Sequence, residues 1–383
     1  MRLLLVSPIP EVSQQLGASQ VTLNLKTALE ARGIDCQLFP DAGRALSRAA
    51  YPAAVAAFLD REAPRFDVIE IPDTLVNITP TNARPRPLWV VRSPLLDLQR
   101  FYIRYPDTPM HLRAALRRPL SMLRAAWQRR RRNVPDRSTL LAFYRAYDLV
   151  VVANSLDRDR LLENGLPPAR VAVIPFALDD ARHASLGALP VTPQTDPPVL
   201  VFLGTFDYRK GCLDIRTAFR RLRQAIPDLR LRLIGTRGMI RDEAGVLAAF
   251  PKHLRSAVDV TPHFRREDLP GLLTGARAGV FPSYWEGFGL GVVEMLAAGL
   301  PVAAYRAPGP ADILPAEWLA APGDVNGLVA HLLPWLLDDE PTRTERAARA
   351  RRIADPYRWD RMARETEELY RDCLARRRED ASS

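Results

Sequence analysis

The sequence predicts an α/β protein built as two successive parallel-sheet units that face each other across a cleft. Three observations carry this reading. Short apolar runs alternate with helix-period segments through the first half of the chain, the pattern of parallel strands joined by crossover helices. Residues 186–198 (LGALPVTPQTDPP) then break the periodicity with proline and small polar residues. Beyond them the same alternation begins again. The length of 383 residues fits two domains of ordinary size better than one core.

Taken in order, residues 3–7 read as a first buried strand, followed by a loop through Gly17 and a helix over 19–32. Residues 34–39, 68–71, 88–92, 149–153 and 171–174 read as the following strands, with a helix over 155–164 capped by Asn154-Ser155. After the break, strands are expected at 199–203, 231–234, 258–260, 279–281 and 301–304. Residues 357–378 form a long helical pattern with Trp359, Met362, Leu369, Tyr370 and Leu374 as its apolar stripe. The polar tail from 376 to 383 is expected to fray. The predicted domains are therefore residues 1–186, a linker at 187–198, and residues 199–356, with the helix of 357–383 returning to the first domain. Open parallel sheets bind ligands at the carboxyl ends of their strands, which puts the site between the lobes.

Composition narrows the class. Hydrophobic residues at 47% and charged residues at 26% describe a globular protein rather than a disordered or membrane-embedded one. The apolar run at residues 3–6 is too short for a signal peptide, and the window 287–305 is broken by Glu294, Pro301 and glycines, which argues against a membrane span. Cys36, Cys212 and Cys373 are far apart and odd in number, so a reducing, cytoplasmic setting without a disulfide framework is expected. A formal charge of +10, carried mostly by arginine, points to anionic partners; no nucleic-acid-binding motif accompanies it.

The segment FPSYWEGFGLGVVEMLAAGLPV, residues 281–302, concentrates the chemistry. It reads strand, glycine-rich loop, helix, turn, strand. Glu286 lies in the loop and Glu294 in the first turns of the helix, with seven residues between them. Gly287, Gly289 and Gly291 let the backbone approach a ligand closely. A helix opening near Leu290 presents unpaired amides that favour phosphate. Carboxylates repel phosphate and suit hydroxyls. Together these features describe a nucleotide sugar, with its diphosphate on the amides and its hydroxyls on the two glutamates.

This segment resembles the Glu-x7-Glu motif of the retaining GT-B glycosyltransferases of family 4. Leu203-Gly204-Thr205-Phe206-Asp207-Tyr208-Arg209-Lys210-Gly211 is similar to the family's basic strand-to-helix loop. Residues 231–235, ending at Gly235, resemble the strand and turn beside the nucleobase, and Val151 to Ser155, Arg170 to Pro175, Ala307 to Asp312 and Ala321 to Asp324 match further loops in the same order. The resemblance covers nearly the whole chain. It implies two Rossmann-like domains, with acceptor in the first and donor in the second. It further implies Glu286, Lys210 and Arg209 as catalytic residues. Glu294, Gly287, Phe288, Gly289, Leu290, Gly291, Gly204, Thr205 and Gly235 would bind the donor, and Gly17, Arg92 and Ser93 the acceptor. No metal and no cofactor is expected. The implied partners are a nucleotide sugar and a glycan or lipid-linked acceptor, in cell-envelope or exopolysaccharide synthesis. The chain departs from the family at Thr205, where an arginine is usual, at Arg92-Ser93, where a His-Gly pair is frequent, and at Gly17-Ala18, where two glycines are. Arg209, or Arg92 reaching across the cleft, would replace the missing charge. A nucleotide-sugar epimerase and a binding protein of the same fold are the alternative readings.

Residues 111–133 are arginine-rich and lack acidic residues, with Leu112, Leu116, Leu120, Leu123 and Trp127 at helical spacing. Such a segment suits either an anionic membrane surface or an acceptor, or simply a solvated helix face. His111, His183, His253 and His331 read as surface or capping residues.

Overall fold

Four consecutive apolar residues, Leu3 to Val6, can be buried only in a strand covered on both faces. Leu3 and Leu5 indeed enter one core cluster and Leu4 and Val6 another. This strand, β1 (Arg2–Val6), lies inside a six-stranded sheet in the computed structural model, which describes residues 1–11, 17–40, 46–82, 84–103, 135–190, 197–238, 240 and 242–382. Its neighbours are β2 (Asp35–Phe39) and β3 (Val68–Pro72), followed by β4 (Leu88–Ser93), β5 (Leu149–Val152) and β6 (Val171–Val173), all parallel in the order β2-β1-β3-β4-β5-β6. Helices α1 (Gly17–Ala31), α2 (Tyr51–Glu62), α3 (Arg137–Ala146) and α4 (Ser155–Glu163) accompany them. Asn154 caps α4 by accepting from the Asp157 amide at 2.8 Å.

Helix α5 (Asp180–Gly187) leads out of the first lobe, and β7 (Val199–Leu203) opens the second. There β8 (Arg230–Ile234), β9 (Val258–Thr261), β10 (Ala276–Phe281), β11 (Val302–Tyr305) and β12 (Leu319–Ala320) complete a parallel sheet of order β12-β11-β10-β7-β8-β9. Helices α6 (Cys212–Ala225), α7 (Glu243–Ala248), α8 (Leu269–Leu273), α9 (Leu290–Ala297), α10 (Pro310–Ile313), α11 (Val325–Leu337) and α12 (Glu340–Ala354) connect the strands or close the lobe. The strand order reverses between β7 and β10, so the loops after these two strands form the crevice of the second lobe.

The last helix, α13 (Trp359–Ser382), packs along α1 of the first lobe, where Arg32 Nε meets Glu367 at 2.8 Å. It remains helical through Ser382, so the frayed tail expected from 376 onward is corrected. Arg371 bonds Glu367 one turn back, one of the spaced pairs that support an exposed helix end.

Asp73 sits just past β3 under this lobe's core, where Ser93 Oγ donates to it and Tyr144 Oη donates at 3.1 Å. Burial pushes its carboxyl from an ordinary value of 3.8 up to about 7, against the pull of the two hydroxyls. Between those values the folded chain holds a proton that the unfolded chain has released, so this group makes stability fall as pH rises from about 4 to 7 and level off above. Asp73→Asn keeps an acceptor oxygen for both hydroxyls and removes the titration. Its melting temperature is therefore expected to decline less than that of the wild type over this range; a wild-type slope in the variant would show that Asp73 does not titrate there.

Candidate active site

The loop after β7 turns sharply into α6. Gly204 (φ +149°) and Gly211 (φ +71°) adopt backbone conformations that side chains resist, and Gly211 lies so close to Pro282 that a Cβ would stand 2.2 Å from its carbonyl oxygen. Asp207 organises the turn by accepting from Thr205 Oγ1 at 2.7 Å and from the Lys210 amide at 3.1 Å. The loop after β10 lies alongside, joined by the Tyr284 amide donating to Arg209 O at 2.9 Å. Tyr284 is anchored from its other end, donating from its hydroxyl to Asp214 at 2.5 Å.

This pairing of loops brings Glu286, Lys210 and Arg209 together. Lys210 Nζ forms an ion pair with Glu286 Oε2, and Arg209 Nη1 lies 3.2 Å from Oε1. Lys210 also stands over the Phe281 ring at 4.8 Å. Burial pushes the Glu286 carboxyl up, but the Lys210 and Arg209 charges outweigh it and hold it below its ordinary value. Next in the chain, Gly287 lets the loop touch the opposite lobe: a Cβ there would stand 1.7 Å from Pro94 O. Its carbonyl accepts from Asn154 Nδ2 at 2.6 Å. Gly289 (φ +97°) is the N-cap of α9, and Gly291 brings the first turn to within close contact of Leu203 O, 3.0 Å from a would-be Cβ. Leu290 begins the helix, half-buried against the core. The Phe288 ring is buried between Phe176 (5.9 Å) and Tyr357 (5.3 Å).

Glu294 projects from α9 and is buried. Its partner is Arg182 of α5, which sequence reasoning missed because nothing in the local pattern links two residues on separate lobes. Burial raises the Glu294 carboxyl above its ordinary value, opposed by Arg182 and Arg266. Gly235 (φ +74°) turns the chain after β8, with Phe264 3.0 Å from a would-be Cβ.

In the first lobe, Gly17 opens α1. Arg92 does not reach across the cleft. It is buried within its own lobe, donating from Nε to Glu70 at 2.9 Å and from Nη2 to Thr366 and Tyr370 at 3.3 and 3.2 Å. The replacement of the missing basic residue by Arg92 is therefore corrected: a guanidinium that neutralises Glu70 under α13 has no charge to spare for the opposite lobe. Arg209, by contrast, lies beside Lys210. Ser93 is likewise buried, with its hydroxyl committed to Asp73. His183, expected as a surface or capping residue, is buried rather than at the surface, with Nε2 3.4 Å from the carbonyl of Ala354, the last residue of α12. Residues 111–133 and the linker residues 191–196 lie outside the described residues. Among the described residues, no helix is long and apolar enough to cross a membrane.

A further contact joins the lobes. Asp312 of α10 accepts from both the amide and the hydroxyl of Ser155, each at 2.6 Å, at the N-terminus of α4. A carboxylate suits the positive end of a helix.

Two parallel-sheet lobes facing each other, with a basic loop and a glycine-rich helix start at the switch point of the second, define the GT-B class of glycosyltransferase fold. Residues 190–376 match the model of the family glycosyl transferases group 1, and the chain belongs to that family through this region. The chain is 30% identical over 292 residues to a glycogen synthase of Mycobacterium tuberculosis (strain ATCC 25618 / H37Rv), a match covering 74% of this chain and 66% of that protein. In structure it is similar to the sucrose-phosphate synthase of Thermosynechococcus elongatus, with a TM-score of 0.70 at 18% identity over 98% of this chain and 100% of the other. It is also similar to Anabaena Alr3699/HepE, solved in complex with UDP and glucose, with a TM-score of 0.62 at 18% identity over 96% and 98% of the two chains.

Proposed function

We propose that the chain transfers a hexosyl group, with retention of anomeric configuration, from a nucleoside-diphosphate sugar to a glycan or lipid-linked acceptor in envelope or exopolysaccharide synthesis. The observation that supports this best is the convergence of Lys210 and Arg209 on Glu286 beside the glycine-opened end of α9. In the donor complex the diphosphate meets Lys210, Arg209 and the first amides of α9, while Glu286 accepts from a hydroxyl of the sugar. Ribose hydroxyls donate to Glu294, which Arg182 holds in place from the other side. The acceptor oxygen bonds the anomeric carbon as the bond from that carbon to the β-phosphate oxygen breaks. Its electron pair leaves with the diphosphate, which takes up the acceptor's proton. Negative charge grows on the leaving group, so fixed cations there lower the barrier most. The glycogen synthase relative and the UDP and glucose complex of the Anabaena protein agree with a nucleotide-sugar donor.

A thermal-shift comparison of UDP, GDP and ADP tests the reading. A ligand confined to the folded state at about 100 times its Kd adds roughly 2.7 kcal/mol of stability. One nucleotide is expected to raise the melting temperature of the wild type and to lose most of that effect in Glu294→Gln. If none of the three stabilises the wild type, the donor site is misassigned.

A further inference from the structure

At the end of the second sheet away from the cleft, a small open pocket, with about 30 Å³ of space inside it, is bounded by Arg277, Arg343, Arg346, Asp338, Trp335 and the turn Gly299 to Pro301. Arg343 rises from the first turn of α12 and is only 7% exposed. All three of its guanidinium nitrogens are buried and have no hydrogen-bond partner. Its neighbours are committed elsewhere. Arg277 Nη1 donates to Leu336 O at 2.6 Å, and Arg346 Nε donates to Asp338 at 2.8 Å. Asp339 caps α12 by accepting from the Thr342 amide at 3.0 Å, and Arg343 helps hold its carboxyl below the ordinary value through charge alone.

A guanidinium stripped of water and given no acceptor is among the costliest groups a fold can bury, and such charges are ordinarily paired. Here the charge faces a pocket in which two further arginines stand against one aspartate. The planar fork of arginine matches a tetrahedral oxyanion through two parallel hydrogen bonds. We propose that this pocket is a binding site for a phosphate group, carried by a small metabolite or free, with Arg343 as its principal ligand and Arg277 and Arg346 supplying the surrounding positive potential. The site is separate from the cleft: it is lined by the start of β10 and the turn after α9, whereas the donor loops leave the opposite ends of β7 and β10.

Inorganic phosphate is the probe, titrated at constant ionic strength against the full chain and followed by thermal melting and by ³¹P line width. Because phosphate also suits the donor loops, three proteins are compared: wild type, Lys210→Ala and Arg343→Met. A saturable response is expected in the wild type and in Lys210→Ala, with affinity lower by roughly tenfold to a hundredfold in Arg343→Met, the range for losing charge-assisted hydrogen bonds. Arg343→Met is also expected to melt no lower than the wild type in phosphate-free buffer, since it removes an unpaired buried charge. A response that vanishes in Lys210→Ala but persists in Arg343→Met places the anion in the cleft and overturns the proposal. So does the lack of any saturable response, or a phosphate-free melting point of Arg343→Met far below the wild type, which would make the guanidinium a structural strut. None of these outcomes bears on the nucleotide screen, which reads Glu294.

Discussion

Lys210→Ala is expected to lower the rate of sugar transfer by roughly 10²–10³-fold, the range for removing one preorganised group that stabilises charge growing in a transition state. The side chain is well placed for that role, being 12% exposed, paired with Glu286 and held over the Phe281 ring. A diphosphate already carries charge in the ground state, so nucleotide affinity should fall as well, but by less than the rate. The variant also leaves Glu286 with Arg209 as its remaining cation. Lys210 is the larger of the two charges that hold that carboxyl below its ordinary value, so its pKa rises when Lys210 goes. The acid limb of the pH–rate profile should accordingly move to higher pH. Steady-state kinetics over a pH series checks both expectations. A rise in KM with kcat unchanged would mean that Lys210 binds donor and transition state equally, and would remove it from the catalytic step.

Gly287→Ala is expected to have an effect of similar size through a different cause. The added methyl would stand 1.7 Å from Pro94 O and 2.7 Å from Pro94 C, atoms of main chain that no rotamer change can clear. Either the loop carrying Glu286 retreats or the lobes part at this contact, breaking the bond from Asn154 to Gly287 O. A displacement of about 1 Å at a reacting site can cost on the order of 10² in rate. The clash is with main chain at Pro94 and Leu95 and leaves both sheets and the core cluster that runs through the two lobes in place, so the melting temperature should fall less than activity does. Kinetics, melting and small-angle X-ray scattering together check this, with Gly271→Ala as the comparison because its Cβ would meet nothing within 4 Å. Activity within a factor of two of the wild type would show that the tight approach of this loop to Pro94 is not part of the working state.

Much of the fold was legible because parallel strands buried on both faces are short continuous apolar runs, and such runs are local. The expected strands at 88–92 and 149–153 appear as Leu88–Ser93 and Leu149–Val152. Strand β12 was not foreseen, since two residues, Leu319 and Ala320, carry no periodicity. The glycines of the loops after β7 and β10 were legible for a related reason: Gly204, Gly211 and Gly289 all have positive φ, a local demand of the backbone.

The sequence by itself therefore determined the two-lobed parallel architecture and the residue types around Glu286, Lys210 and Arg209, because each of these follows from neighbours within a few positions. The tertiary structure decided what those side chains meet. It turned Arg92 inward onto Glu70 and Tyr370, matched Arg182 to Glu294, set Asp312 on the N-terminus of α4, and left Arg343 buried without an acceptor. Ion pairs and burial depend on distances between segments far apart in the chain, and periodicity carries no record of them.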